Sequence, residues 1–281
     1  MYAITGITGH VGGAAARTLL AANEKVRAVV RDLDKGKQWA DFAVADFTDR
    51  AALAGAFTGA QGVFVLLPTV PPFTDEAHRS MADTIAGAVA DSGVPHVVML
   101  SSIGADLADG NGPIRWLHHL EEQLRGTRVT FTAIRAPHFQ EKVESVLDAA
   151  VGAGVFPVFA ESADVAVPMV ATRDIGAAVA RALTSPPSAS EVIDLDAPSY
   201  TEREVAAALG RLLGKELNVI TIPRAGWHGA LTEAGLPPLL ATEIAALYEA
   251  DEDGRLQPHG DRRERCTTSI EETLRDVVKI R

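Results

Sequence analysis

Eight residues near the start of the chain, Thr5-Gly6-Ile7-Thr8-Gly9-His10-Val11-Gly12, restrict the fold more than any other segment. They join an apolar run at residues 2–5 to an amphipathic stretch at 11–22. At such a strand–helix junction Gly6 permits a tight turn and Gly9 lets backbone approach a pyrophosphate. Gly12 lets the helix pack closely on the strand. The first N–H groups of the helix then face an anion, with Thr8, His10 and Val11 completing the ligand-facing loop. The spacing is G-x-x-G-x-x-G rather than G-x-G-x-x-G, and its position at the first β/α junction is what makes it informative.

Alternation continues after this turn. Apolar runs at 26–30, 42–45, 63–67, 97–100 and 129–134 are separated by helical patterns at 49–57, 74–92, 113–125 and 140–150. The runs are almost continuously apolar, as strands covered on both faces must be. Repeated strand–helix–strand units predict an α/β fold, a Rossmann-type doubly wound parallel sheet. After Gly152 the pattern changes to a Pro/Gly-punctuated stretch, a helix at 173–184, a strand at 192–195 and then mostly helical sequence. Residues 1–150, completed by 171–195, are expected to form the nucleotide-binding domain. Residues 151–170 and 196–281 are expected to form a small mixed C-terminal lobe on the substrate side. Thr201 to Glu204 reads as a capping box, and the charged segment 251–265 reads as a mobile loop.

Charge narrows the function classes. Twenty-six Lys and Arg against 37 Asp and Glu leave a net charge of −11, with no basic cluster. Direct nucleic-acid binding is therefore disfavoured. One cysteine, Cys266, excludes an internal disulfide and any cysteine-based metal cluster, and leaves its own role unassigned. The eight histidines are scattered, and no metal site is expected. No apolar run reaches membrane-spanning length. The chain opens on a strand pattern rather than a signal segment, so a cytoplasmic protein is expected.

The end of the second strand bears on which cofactor is held. An acidic residue there bonds a ribose 2′-hydroxyl, whereas an arginine meets a 2′-phosphate. Arg31 at the strand tip favours NADP(H) over NAD(H); the alternative places Asp32 on the ribose. Asp46 and Phe47 after the third strand, and Leu66-Leu67-Pro68 after the fourth, should border the same crevice. Asp46 can bond the adenine amino group or instead cap a turn. Ser101 and Ser102 at the end of the fifth strand can meet the nicotinamide amide or a substrate oxygen, or simply end the strand.

These segments together resemble the NmrA-like group of atypical short-chain dehydrogenase/reductases. The resemblance runs nearly end to end: residues 5–12, Val26 to Asp32, and Leu100 to Ala105. It continues through Ile134-Arg135-Ala136-Pro137-His138-Phe139-Gln140-Glu141, similar to the family's L-R-P-G-F-F-M-E-N, and through Arg173-Asp174-Ile175. It implies a Rossmann domain with a small C-terminal lobe. Its members include NADPH-dependent quinone oxidoreductases, isoflavone-type reductases and non-catalytic NADP redox sensors. Lys142 stands where relatives often carry Asn and can reach the nicotinamide ribose. Pro137, His138 and Phe139 are expected in the substrate pocket.

One departure is chemically important. Carbonyl reductases of the wider superfamily use a Tyr-x-x-x-Lys pair, yet none of Tyr2, Tyr200 and Tyr248 has Lys four residues on. Quinone reduction tolerates that loss, because hydride addition leaves a stabilised phenolate. His118, with Glu122 one turn later, resembles the H-x-x-x-E spacing of quinone-reducing relatives, and His118 and Ser102 are the catalytic candidates. The expected function is an NADPH-dependent oxidoreductase acting on a small planar acceptor such as a quinone. A non-catalytic NADP(H) sensor working through a regulatory protein partner, or a natural-product tailoring reductase, remains open. A homodimer is compatible with either.

Overall fold

The sheet begins as the sequence pattern predicts. In the computed structural model, which describes residues 1–279, strands β1 (Tyr2–Ile4), β2 (Val26–Val30), β3 (Phe42–Val44), β4 (Gly62–Val65), β5 (His96–Ser102) and β6 (Thr130–Ala136) alternate with helices. The helices are α1 (His10–Ala21), α2 (Leu33–Gly36), α3 (Arg50–Phe57), α4 (Asp75–Ser92) and α5 (Ile114–Arg125). Next come β7 (His138–Phe139), a 3-10 helix (Gln140–Val146), α6 (Leu147–Ala153), β8 (Val155–Val158), β9 (Val167–Val170), α7 (Thr172–Thr184) and β10 (Glu191–Asp196). The chain ends with β11 (Ser199–Tyr200), α8 (Glu202–Leu213), β12 (Asn218–Thr221), a short 3-10 turn (Arg224–Gly226), α9 (Trp227–Glu233), α10 (Pro238–Glu252), β13 (Arg262–Arg265) and α11 (Ile270–Lys279).

Eight strands form one parallel sheet in the order β13-β10-β6-β5-β4-β1-β2-β3. Strand order reverses between β1 and β4, which opens a crevice at their carboxyl ends. Alternate residues of the strands face two cores. Tyr2, Ile4, Val26 and Ala28 pack with α1 and α7, while Ala3, Val29, Val63 and Val65 pack with α3, α4 and α5. Gly176 sets the fit between α1 and α7, since a Cβ there would lie 2.5 Å from the Ala14 Cβ. Local signals agree with these elements. The Thr74 hydroxyl accepts from the Ala77 amide at the start of α4, and Gly93 ends that helix in the left-handed region. Thr201 and Glu204 form the expected capping box.

A third core, including Val143, Leu147, Phe156, Met169, Val205, Leu209 and Leu274, holds the C-terminal elements. It is accompanied by a three-stranded mixed sheet, β11-β9-β7, and a two-stranded one, β12-β8. Two expectations are corrected. The helix expected at 140–150 is a 3-10 helix followed by α6. The charged segment 251–265, expected as a loop, ends in β13, the eighth strand of the main sheet. Arg262-Arg263-Glu264-Arg265 carries no apolar alternation. It pairs through backbone bonds to β10 and through ion pairs of Arg262 with Glu191 and Arg181 with Glu264. No helix among the described residues is long and apolar enough to cross a membrane.

His96 opens β5 at 1% exposure, with Nε2 3.1 Å from the Thr132 hydroxyl. Burial lowers its pKa from 6.5 to about 4, against an opposing pull from Glu191. The unfolded chain therefore takes up a proton below pH 6.5 that the folded chain refuses until about pH 4. The stability from neutral His96 is complete above the higher value and is lost as pH falls towards the lower one. Urea melts at pH 7 and pH 5 should show about 2 kcal/mol more loss for the wild type than for His96→Gln.

Candidate functional site

The glycine turn builds an anion cradle by excluding side chains. Gly6 has φ +59°, and a Cβ there would sit 2.4 Å from the Leu66 Cδ2. A Cβ on Gly12 would lie 2.4 Å from the Gly6 carbonyl oxygen and 2.8 Å from that of Thr5. Gly9 is the N-cap of α1, has no side chain to cap the helix and is exposed. No acidic residue occupies the first turn, so the amides of His10, Val11 and Gly12 and the positive end of the helix dipole remain available. Thr8 and His10 are exposed beside them, and the buried Thr5 hydroxyl below the turn has no partner among the described residues. These features fit a dinucleotide pyrophosphate.

At the tip of β2 the two candidate side chains have separated roles. Asp32 accepts from the Asp34 amide at 2.8 Å and caps α2. Arg31 is exposed and makes no hydrogen bond or ion pair among the described residues. Asp46 sits close enough to feel its charge, although the Thr48 hydroxyl and amide do more to lower the Asp46 pKa. Those two bonds, 2.6 and 2.9 Å from Oδ1, form a turn in which one carboxylate oxygen is engaged. Phe47 packs on the core beneath α3 and α4. Leu66, Leu67 and Pro68 emerge half-buried from β4, with Leu66 against the glycine turn.

The serines after β5 diverge. Ser101 is buried and donates to Glu121 at 2.6 Å. Glu121 in turn receives two bonds from Arg135, at 3.0 and 2.7 Å, with both charged side chains almost wholly buried. Ser101 is thus committed to an internal network. Ser102, half-buried, donates only to carbonyls of its own rim, Ile103 and Ala136. His118 on α5 lies over the same rim with Nδ1 2.9 Å from the Ala105 carbonyl. A carbonyl only accepts, so Nδ1 carries the proton and Nε2 faces no partner among the described residues. Glu122 does not join it, because its carboxylate takes the Arg125 guanidinium instead.

Residues 137–146 cross the mouth of the crevice. The segment leaves β6 beside Ser102, paired in register with Ala136. Near its end Glu144 brings its carboxylate to 3.3 Å from His10 Nε2 on the glycine turn. Phe139 packs on the same core as Leu66 and Leu100, and Pro137 and His138 are half-buried beside it. His138 Nε2 is 3.0 Å from Asp251 Oδ2 on α10. Lys142 is ion-paired with Glu202 of α8, so it braces the lobe. The other motif residues are brackets: Glu141 accepts from the Thr172 amide and hydroxyl, and Asp174 accepts from the Thr267 and Thr268 amides.

Sequence reasoning missed Asp251, Glu121 and Glu144, because each meets its partner only through tertiary folding. Tyr248, one turn before Asp251, packs against Phe159 and Trp227, and burial, with Glu202, pushes its pKa up to about 12. It has none of the acidity a proton-donating tyrosine needs. No group of three or more potential metal ligands occurs among the described residues.

The model of the NmrA-like family matches residues 2–274, and the chain belongs to that family. It is 28% identical over 256 residues to the NAD(P)H azoreductase of Xenophilus azovorans, covering 88% of this chain and 86% of that one. It is also 28% identical over 260 residues to quinone oxidoreductase 2 of Escherichia coli, covering 87% and 86%. Among solved structures, triphenylmethane reductase of Citrobacter sp. superposes with a TM-score of 0.81 at 22% identity over 99% of both chains. The NADPH complex of an Escherichia coli quinone oxidoreductase gives 0.77 at 22% identity, covering 99% of this chain and 100% of that one.

The Arg135–Glu121 pair makes the β5 rim sensitive to substitution. Glu121→Ala leaves a buried guanidinium without its main counter-charge and frees the Ser101 hydroxyl. Urea melts should show a loss of about 3–5 kcal/mol, and replacing both partners with apolar residues should restore much of it.

Proposed function

We propose that this NmrA-like protein is an NAD(P)H-dependent oxidoreductase that delivers hydride to a small, planar, conjugated acceptor such as a quinone, with NADPH preferred. The observation that carries this reading is the uncapped, glycine-lined start of α1 at the switch point, with an unpaired Arg31 at the neighbouring strand tip. The cradle supplies amides for a pyrophosphate, and Arg31 supplies a fork for a 2′-phosphate. Asp32 already accepts the Asp34 amide on one carboxylate oxygen, which favours Arg31 as the residue that reads this position. The likeness to an azoreductase and a quinone oxidoreductase over most of each chain supports redox chemistry in this crevice.

NADPH, when bound, supplies the hydride. The protein's part is to align two flat rings and exclude water. Leu66, Leu67, Pro68, Pro137 and Phe139 offer apolar walls at the carboxyl edge. Ser102 and His118 Nε2 offer the polar atoms there, for a carboxamide or an acceptor oxygen. A phenolic acid is absent from this scheme. Tyr2 is buried in β1, the Tyr200 hydroxyl accepts from the Ile270 amide, and Tyr248 is held far from titration. Quinones suit such a site because the product anion is resonance-stabilised.

Two measurements test this reading. NADPH oxidation should accelerate on adding a naphthoquinone. Tight NADP binding without turnover across quinones and enones would favour the sensor instead. Arg31→Glu should weaken NADP(H) at least about 10-fold more than NAD(H), the scale of one charge-assisted phosphate contact. Equal weakening would remove Arg31 from the 2′-phosphate.

A further inference from the structure

His138 and Asp251 form a half-buried pair, with Nε2 3.0 Å from Oδ2. His138 puts an imidazole on the segment that leaves β6, two residues beyond Ala136 and the Ser102 rim. Asp251 reaches it from α10, the helix whose Glu243 also receives Arg115 of α5 and whose Leu247 closes on Gly112. One helix thus contacts both the start of α5, through Arg115 and Gly112, and His138. Burial opposes ionisation of Asp251, but the hydrogen bond and charge of His138, with Lys142 beyond, hold its pKa below the usual carboxylate value. Nε2 is the ring nitrogen that faces the carboxylate, 3.0 Å from Oδ2, and Nδ1 is the nitrogen left for a ligand.

We propose that His138, oriented by Asp251, is the catalytic proton donor of this crevice, and that it extends the acceptors to those whose reduction leaves a strongly basic atom, such as an azo bond. This rests on the oxidoreductase reading above. In the step, hydride from NADPH adds to one nitrogen of the N=N bond and breaks its π bond. The Nδ1 proton of the imidazolium goes to the other nitrogen, giving a hydrazine, NADP+ and a neutral imidazole. Water then returns the proton to Nδ1. His118 is the weaker candidate for this step, because its Nδ1 is held by the Ala105 carbonyl, whereas the ring of His138 is held by a carboxylate on another helix. The charged and titratable groups around the pair are Lys142 of the 3-10 helix, Glu202 of α8 and Tyr248 of α10.

Three acceptors separate proton donation from mere support of the fold. A cationic triphenylmethane dye takes up hydride alone and needs no proton. A quinone leaves a weakly basic phenolate. An azo dye leaves a strongly basic nitrogen. The kcat loss in His138→Gln should grow in that order, reaching about 100-fold for the azo dye and exceeding the cationic-dye loss by at least about 10-fold. Asp251→Asn should show the same order with smaller losses. NADPH affinity, measured by the fluorescence of the bound nicotinamide, should stay within about 3-fold of wild type in both, well under one contact's worth. Losses equal across the three acceptors, or absent in all, overturn the proposal while leaving the oxidoreductase reading intact. A wild-type protein that oxidises NADPH with none of the three removes both.

Discussion

The absence of a side chain at Gly12 is the constraint on which this molecule is arranged. With 2.4 Å between a would-be Cβ and the Gly6 carbonyl oxygen, no other residue lets the first turn of α1 rest on the end of β1. That contact sets where the helix dipole points and how far its amides stand from the crevice. It also sets where α1 meets α7, at the contact of Ala14 and Ala15 with Gly176. The anion cradle and the packing of the sheet's first layer are thus one geometric decision. A cradle made in this way needs no basic surface, so a net charge of −11 does not speak against an anionic ligand there.

The parallel sheet was legible because its strands are buried on both faces and read as uninterrupted apolar runs. The glycine turn was legible because steric exclusion leaves a mark in the sequence at fixed spacing. Two kinds of feature escaped. β13 is charged along its length and joins the sheet by backbone bonds that any sequence can make. The pairs His138–Asp251, His10–Glu144 and Arg135–Glu121 join residues far apart in the chain. No spacing rule records them.

Several residues that identify the family serve the scaffold. Arg135 holds Glu121, Glu141 caps α7, and Asp174 receives the backbone at Thr267 and Thr268. Each fixes one end of a segment bordering the crevice, so a family resemblance here reports how the crevice is braced.

The position of β13 has a consequence for the order of assembly. The main sheet runs through β10, the chain then departs to build β11, α8, β12, α9 and α10, and only afterwards returns to add its eighth strand. During synthesis β10 leaves the ribosome with one edge bare, including the Asp194 carboxylate that will receive the Gly260 amide. That edge is covered after nearly seventy more residues have emerged. The elements from β11 to α10 therefore lie, in chain order, between the seventh strand of the main sheet and the eighth that closes it, so the sheet's last edge is covered only after those elements have been made.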